Sequence, residues 1–325
     1  MSKLSFIIPC YRSEKTIEKV VEEINEAVSK LDKYTHEIIL VNDCSPDNTI
    51  EVLKKLSNKY EFVTTIDFAR NFGQHSALMA GLREARGDIA ICLDDDGQTP
   101  ADECYKLINA LEEGADAVYA KYAHKKHSLF RNFGSFINEE MARFMLDKPK
   151  ELYVSSYFAV RRYIIDDMIR YENSYPYVIG LVLRATNNIV NVDINHRARE
   201  IGESGYSFKK LLGLWLNGFT SFSIKPLRMA TIIGAICSVI GIIYGIIVII
   251  QRIVLPDRQL GFASIESSIL FIGGVVLIML GLIGEYVGRI YISMNATPQY
   301  VIKRIYRNDV KKTEDESEDK DEVNQ

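Results

Sequence analysis

Three consecutive carboxylates, Asp94-Asp95-Asp96, follow an apolar run and precede Gly97-Gln98. In an extended chain Asp94 and Asp96 project to one side and Asp95 to the other. Two carboxylates on one side form a hard-oxygen site suited to Mg2+ or Mn2+. A divalent ion held there would neutralise charge developing on a diphosphate leaving group. The plainer alternative is a solvated acidic turn, although three adjacent acids repel one another without a cation. Two earlier turns carry further chemistry: Pro9-Cys10-Tyr11-Arg12-Ser13-Glu14 and Asn42-Asp43-Cys44-Ser45-Pro46-Asp47. Together they offer an aromatic ring, a carboxylate and two helix N-termini. A nucleoside would stack on Tyr11 and hydrogen-bond to Asp43. The chain has neither a G-x-G-x-x-G run nor a Walker loop, which removes the ordinary dinucleotide and P-loop readings.

Strands must hold these turns in place. Short apolar, β-branched-rich runs at 4–9, 37–42, 62–67 and 88–94 predict four strands. After Ser13, Ile17, Val20, Val21, Ile24, Ala27, Val28 and Leu31 recur at helical spacing. Ser45-Pro46 predicts the start of a second helix, with Ile50, Leu53 and Leu56 on one face. Strands alternating with helices imply a parallel α/β sheet, in which ligands bind at the carboxyl ends of the strands.

The rest of the chain differs in character. Residues 229–250 contain 22 positions without a formal charge, and 267–284 contain 18 more. Both runs are long and apolar enough for membrane spans. Their glycines, Gly234, Gly241, Gly245, Gly273, Gly274, Gly281 and Gly284, would permit close helix packing. Lys and Arg flank the outer ends of the pair, whereas the short connection is nearly balanced, so both termini are expected in the cytosol. The expected organisation is a cytosolic α/β domain at 1–205 and a juxtamembrane amphipathic segment at 206–227. Membrane helices at 228–251 and 267–290 follow, joined by an external loop at 252–266, and 291–325 form a cytosolic tail.

The 325 residues are 47% hydrophobic and 25% charged, which excludes a disordered chain, a collagen-like repeat and a small disulfide scaffold. The net charge of −4 is uneven. From residue 308 onward three lysines face eight acids, so that stretch carries −5 and is expected to be disordered and solvated. Five cysteines without a C-x-x-C pair fit a reduced compartment. No cleavable signal pattern opens the chain, so the first domain is expected to stay in the cytosol.

Taken in order, FIIPCYRSE (6–14), VNDCSPDNT (41–49), RNFGQHSALMAGL (70–82), LDDDGQTP (93–100) and GEYVGRIY (284–291) resemble the family 2 glycosyltransferases of the GT-A fold. More narrowly, they resemble the bacterial polyisoprenyl-phosphate glycosyltransferases, relatives of dolichol-phosphate mannose synthase with two C-terminal membrane helices. The resemblance implies a Rossmann-like nucleotide-sugar-binding domain followed by a transmembrane hairpin. Pro9, Tyr11, Glu14 and Asp43 match positions that hold the uridine. Asp94 and Asp96 match the pair that binds metal and sugar diphosphate, with Asp95 and Gln98 close to the donor. Arg70 opens an Arg70-Asn71-Phe72-Gly73 turn that matches one near the site. Arg199, Gly202, Ser204 and Tyr206 match an element leading to the membrane. On chemistry alone, Arg197 and Arg199 offer guanidinium forks to an acceptor phosphate, with Ser204 beside them. Lys121 and Arg131 are further phosphate candidates, and solvated basic turns are the alternative.

The implied activity is inverting, metal-dependent transfer of a sugar from a UDP-sugar to polyprenyl (undecaprenyl) phosphate, with Asp94, Asp96 and Arg199 as the catalytic residues. The implied setting is a multi-pass protein of the bacterial inner membrane, similar to homotetrameric relatives and with no nucleic-acid partner. Another lipid or glycan acceptor, or a non-catalytic nucleotide-binding scaffold, remain alternatives. Two departures from the family pattern stand out. Thr99 follows Gln98 where the family has an acid, and Ser156 stands where the family's Asp is often assigned as the catalytic carboxylate. A phosphate monoester acceptor is already anionic near pH 7, so its attack needs positioning more than a protein base.

Overall fold

The computed structural model describes residues 2–122, 143, 148–195, 197, 225–254, 262–295 and 297–308. These fall into two compact units, one of 1–206 with 298–325 and one of 207–297.

The first unit is built on strand–helix alternation. β1 (Ser2–Cys10) leads to α1 (Ile17–Val28), β2 (Tyr34–Asn42) to α2 (Thr49–Lys59), and β3 (Val63–Phe68) to α3 (Gln74–Glu84). β4 (Ile89–Cys92) precedes α4 (Cys104–Glu112), and β5 (Ala117–Tyr122) follows. β6 (Phe158–Arg161), α5 (Arg162–Met168), α6 (Val178–Ala185) and β7 (Ile189–Ile194) complete the series. The central strand β1 is apolar on both faces because helices cover both. Leu4, Phe6 and Ile8 share a buried cluster with Ile17, Val20, Val21 and Ile24 of α1, as the helical spacing predicts. Ile7 points the other way, against α3, where Gly81 leaves room: a Cβ there would lie 2.4 Å from Ile7 Cγ2.

Described strands form one sheet in the order β7-β5-β6-β4-β1-β2-β3-β8, where β8 is Ile302–Tyr306. β1 pairs in parallel with β2 and β4, β2 with β3, and β5 with β7. The sheet is nevertheless mixed rather than parallel throughout. β6 runs antiparallel to both β4 and β5, and β8 runs antiparallel to β3. The strand β8 lies within the stretch expected to be a tail. It is secured by Tyr300 stacked on Phe68 at 5.2 Å, and by Gln299 Nε2 donating to the carbonyls of Tyr171 (2.8 Å) and Asn173 (2.9 Å).

The second unit holds α7 (Lys225–Val254) and α8 (Phe262–Met294), of 30 and 33 residues. At 1.5 Å per residue each is longer than the hydrocarbon core of a bilayer. Both contain stretches long and apolar enough to cross a membrane, Ala230–Ile247 and Phe271–Ile292. Their apolar side chains face outward: Ile240, Ile242, Leu277 and Ile278 are all at least 60% exposed. Among the described residues, nothing packs closely on the hairpin glycines. A Cβ at Gly234, Gly241, Gly245, Gly273, Gly274, Gly281 or Gly284 would meet nothing within 4 Å.

Candidate active site

Because β1 to β4 run in parallel, their carboxyl ends lie along one edge of the sheet, and the polar turns gather there. At the first two turns the chain bends through left-handed backbone at non-glycine residues, Arg12 (φ 61°) and Cys44 (φ 53°). Each such residue costs roughly 1–2 kcal/mol, so surrounding bonds must hold it. Those bonds join the two turns. Asp43 N–H donates to the Cys10 carbonyl at 3.0 Å, and Arg12 N–H to Ser45 Oγ at 3.1 Å. Ser13 N–H donates to Thr49 Oγ1 at 2.9 Å, and Asn48 N–H to Glu14 Oε2 at 3.2 Å. Ser45-Pro46 therefore does not cap α2. The helix begins three residues later, where Asp47 Oδ1 accepts from Thr49 N–H (3.3 Å) and Oγ1 (2.7 Å). Ser45 is used instead to bridge the turns.

Asp43 is buried, and both of its carboxylate oxygens already have partners. Oδ1 accepts from Phe72 N–H at 2.6 Å and Oδ2 from Gly73 N–H at 2.8 Å, immediately before α3. Gly73 sits at φ 89°, backbone that glycine adopts without a Cβ penalty. Burial raises the Asp43 carboxyl above its ordinary pKa, against the lowering effect of the two amides. The nearby Arg70 is exposed, with its guanidinium 4.6 Å from the Phe72 ring centroid.

The strand β4 ends at Cys92, two residues before the expected boundary, so the three acids lie on a turn. Each turns to a different partner. Asp94 Oδ1 accepts from Gln74 Nε2 at 3.0 Å, and its Oδ2 from Ser156 Oγ. Asp95 reaches back to the first turn, where its Oδ2 accepts from Tyr11 N–H at 3.0 Å and from Ser13 Oγ. Asp96 Oδ1 accepts from Gln98 N–H at 3.1 Å within its own turn. Burial raises the Asp95 carboxyl to about 6, and the charges of Asp94 and Asp96 add to the rise against the bonds from Ser13 and Tyr11. Burial and the same two charges also push the Tyr122 phenol upward.

This crowding of negative charge bears on whether a cation fits. Among the described residues no group of three or more His, Cys, Asp or Glu forms a complete metal cage. The donors at hand are the oxygens of Asp94 and Asp96. One or two carboxylates completed by substrate phosphates suit Mg2+, and Mn2+ accepts the same ligands. The residues present fit such an ion, which would relieve the repulsion that Asp95 records.

The other candidates are placed as follows. Tyr11 is 46% exposed, with the Arg12 guanidinium 5.5 Å from its ring centroid, leaving ring surface for a base. Pro9 lies in β1 opposite Val41. Lys121 is exposed near the end of β5, in register with Asp193. Arg197 is engaged within the domain. Its guanidinium pairs with Glu23 at 2.7 Å and Asp102 at 2.8 Å, and its N–H donates to the Gln98 carbonyl at 3.3 Å. It braces the turn after the acids against α1. Arg131, Arg199 and Ser204 lie outside the described residues, as do 206–224 and 255–261 of the expected membrane segments. Gln74, Ser13 and Tyr122 interact with the acids at 94–96. Ser13 and Gln74 lie within the segments 9–14 and 70–82 but were not singled out as site residues, since nothing in their local spacing marks them. Ser156 was visible only as a departure from the family pattern.

Residues 5–169 match the family described as Glycosyl transferase family 2. Residues 225–290 match the GtrB C-terminal hairpin. The undecaprenyl-phosphate 4-deoxy-4-formamido-L-arabinose transferase of Yersinia enterocolitica is 32% identical over 309 residues, 94% of either chain. The protein of that name from Photorhabdus laumondii is 30% identical over 322 residues, 98% of either chain. Among solved structures, glucosyl-3-phosphoglycerate synthase from Mycobacterium tuberculosis aligns over 67% of this chain and 77% of its own, at 18% identity and TM-score 0.49.

Proposed function

Since the chain belongs to glycosyl transferase family 2 and carries a GtrB-type hairpin at 225–290, we propose that it transfers a sugar from a UDP-sugar to a polyprenyl phosphate at the cytosolic membrane face. One observation carries this reading. Relatives named as undecaprenyl-phosphate sugar transferases match over 94% of their length and of this one, hairpin included. The geometry of the strand ends is consistent with it. The exposed Tyr11 ring is available for the base, and Asp95 ties the Tyr11 turn to the acids that would face the diphosphate.

A divalent ion, when bound by Asp94 and Asp96, supplies positive charge to the departing diphosphate. The chain's own residues do the rest. Tyr11 orients the nucleoside, and the turn from Asp94 to Gln98 fixes the carboxylates against it. A phosphate oxygen of the acceptor forms the new bond to the anomeric carbon as the bond to the UDP oxygen breaks, with inversion. The acceptor oxygen is already anionic near pH 7, so no proton must be removed, which accords with Ser156 standing where the family has a carboxylate. The positive flanks of the hairpin support an inner-membrane protein with both termini in the cytosol. Arg199 and Ser204 are assigned to the acceptor phosphate on chemistry and family resemblance.

The test is a panel of labelled UDP-sugars incubated with the purified protein, undecaprenyl phosphate and Mg2+ or Mn2+. The panel includes UDP-4-deoxy-4-formamido-L-arabinose. The expected result is label in the polyprenyl lipid with one sugar, lost on chelation. Label appearing only in another lipid or in a glycan would overturn the acceptor, and no transfer with any donor would overturn the activity.

A further inference from the structure

Ser156 stands where the resemblance leads one to expect a carboxylate, and its hydroxyl donates to Asp94 Oδ2. The other oxygen of Asp94 accepts from Gln74 Nε2 at 3.0 Å. The two donors come from elements remote in sequence. Gln74 is the first residue of α3, and Ser156 lies two residues before β6. Donors on both oxygens, from opposite sides, fix the rotation of the carboxylate. The donor on the α3 side is itself held in place. Asp43 accepts from the amides of Phe72 and Gly73, the two residues just before Gln74. An acid at the end of β2 thus fixes the helix start that supplies a donor to an acid at the end of β4.

We propose that Ser156 and Gln74 are positioning residues that orient the Asp94 carboxylate for the divalent ion and sugar diphosphate. This rests on the reading that Asp94 and Asp96 hold that ion. Groups that hydrogen-bond a metal's carboxylate ligand typically alter metal affinity by roughly 10–100-fold when removed. A hydroxyl also does this without adding a fourth negative charge to a cluster already strained by three.

The test is titration of Mn2+ into the full-length protein in detergent with saturating UDP, followed by electron paramagnetic resonance. The chains compared are the unaltered protein, Ser156→Ala, Gln74→Leu, Ser156→Thr and Asp96→Ala. Ser156→Ala and Gln74→Leu are each expected to weaken Mn2+ binding by roughly 10–100-fold. Ser156→Thr, which keeps the hydroxyl, is expected to bind as the unaltered chain does. UDP binding without metal should be unchanged in Ser156→Ala, Gln74→Leu and Ser156→Thr. Mn2+ affinity in both Ser156→Ala and Gln74→Leu equal to that of the unaltered chain would overturn the positioning role alone. Ser156→Thr as weak as Ser156→Ala, or loss of metal-free UDP binding, would also overturn it, by showing that Ser156 serves the fold. No Mn2+ uptake by the unaltered chain, or undiminished uptake by Asp96→Ala, would instead overturn the underlying metal reading and this proposal with it.

Discussion

The acids at the ends of β2 and β4 occupy equivalent places in the sheet but have different partners. Asp43 is buried and bound by two backbone amides, those of Phe72 and Gly73. Asp94 is only half-buried and bound by two side chains, those of Gln74 and Ser156. A carboxylate bound by backbone amides is part of the chain's path, and it cannot let go without reopening the turn before α3. One bound by side chains can exchange or share those partners when a ligand arrives. The neighbouring charges reinforce the difference. Asp95 lies close enough to Asp94 and Asp96 for their charges to help raise its carboxyl to about 6, whereas the Asp43 carboxyl is raised by burial alone. The first acid therefore holds the chain's turns together, and the proposed ligand-binding role falls to the second group.

Substitution should separate the two roles. The largest effect is expected at the β4 turn. Asp94→Ala and Asp96→Ala should each reduce sugar transfer to the lipid on the order of 10³-fold, as loss of a key electrostatic stabiliser does. Their urea midpoints should stay at or above that of the unaltered chain, because repulsion is relieved. Asp43→Ala should do the reverse in kind. By stranding two amide donors it should cost about 3 kcal/mol of stability in urea unfolding, with activity falling only as the folded fraction falls. Equal stability losses at Asp43 and Asp94 would erase the distinction.

A smaller effect is expected beside Gln74. Burial lowers the His75 imidazole to about 4, and its Nδ1 accepts from Val178 N–H at 3.4 Å. A folded-state pKa below the unfolded one means that the unfolded chain binds the proton first. The stability from neutral His75 is thus complete above about 6.5 and is lost as pH falls towards 4. After allowing for partial exposure this amounts to about 2 kcal/mol, and His75→Gln should flatten that part of the pH–stability curve. The smallest effect belongs to Glu14→Gln. It retains an acceptor for the Asn48 amide and should change stability by less than about 1 kcal/mol.

Much of the fold was legible locally. The buried face of α1 is the one its spacing predicts, and the first four strands fall where the apolar runs lie. Strand β4 ended early because three acids cannot continue a buried strand. The antiparallel β6 and the edge strand β8 gave no comparable signal. Phe158–Arg161 has only four residues, and Ile302–Tyr306 alternates apolar and basic residues so weakly that it reads as tail. Of the site, the acids and the aromatic ring were legible because their types stand out against an apolar strand. Their hydrogen-bond partners were not.

Sequence by itself determined which residues are apolar, at what period they recur, and hence the strands, the helices and the two long apolar spans. These are properties of neighbouring residues, set by steric preference and by burial of one face. Tertiary structure alone decided that Asp43 would hold the start of α3, and that Arg197 would pair with Glu23 and Asp102. It also decided that Ser156 would meet Asp94 across 62 positions of chain. A carboxylate or guanidinium accepts whichever complementary group the packed backbone brings within about 3 Å. That choice is made by the closure of long loops between strands, and no local pattern encodes it.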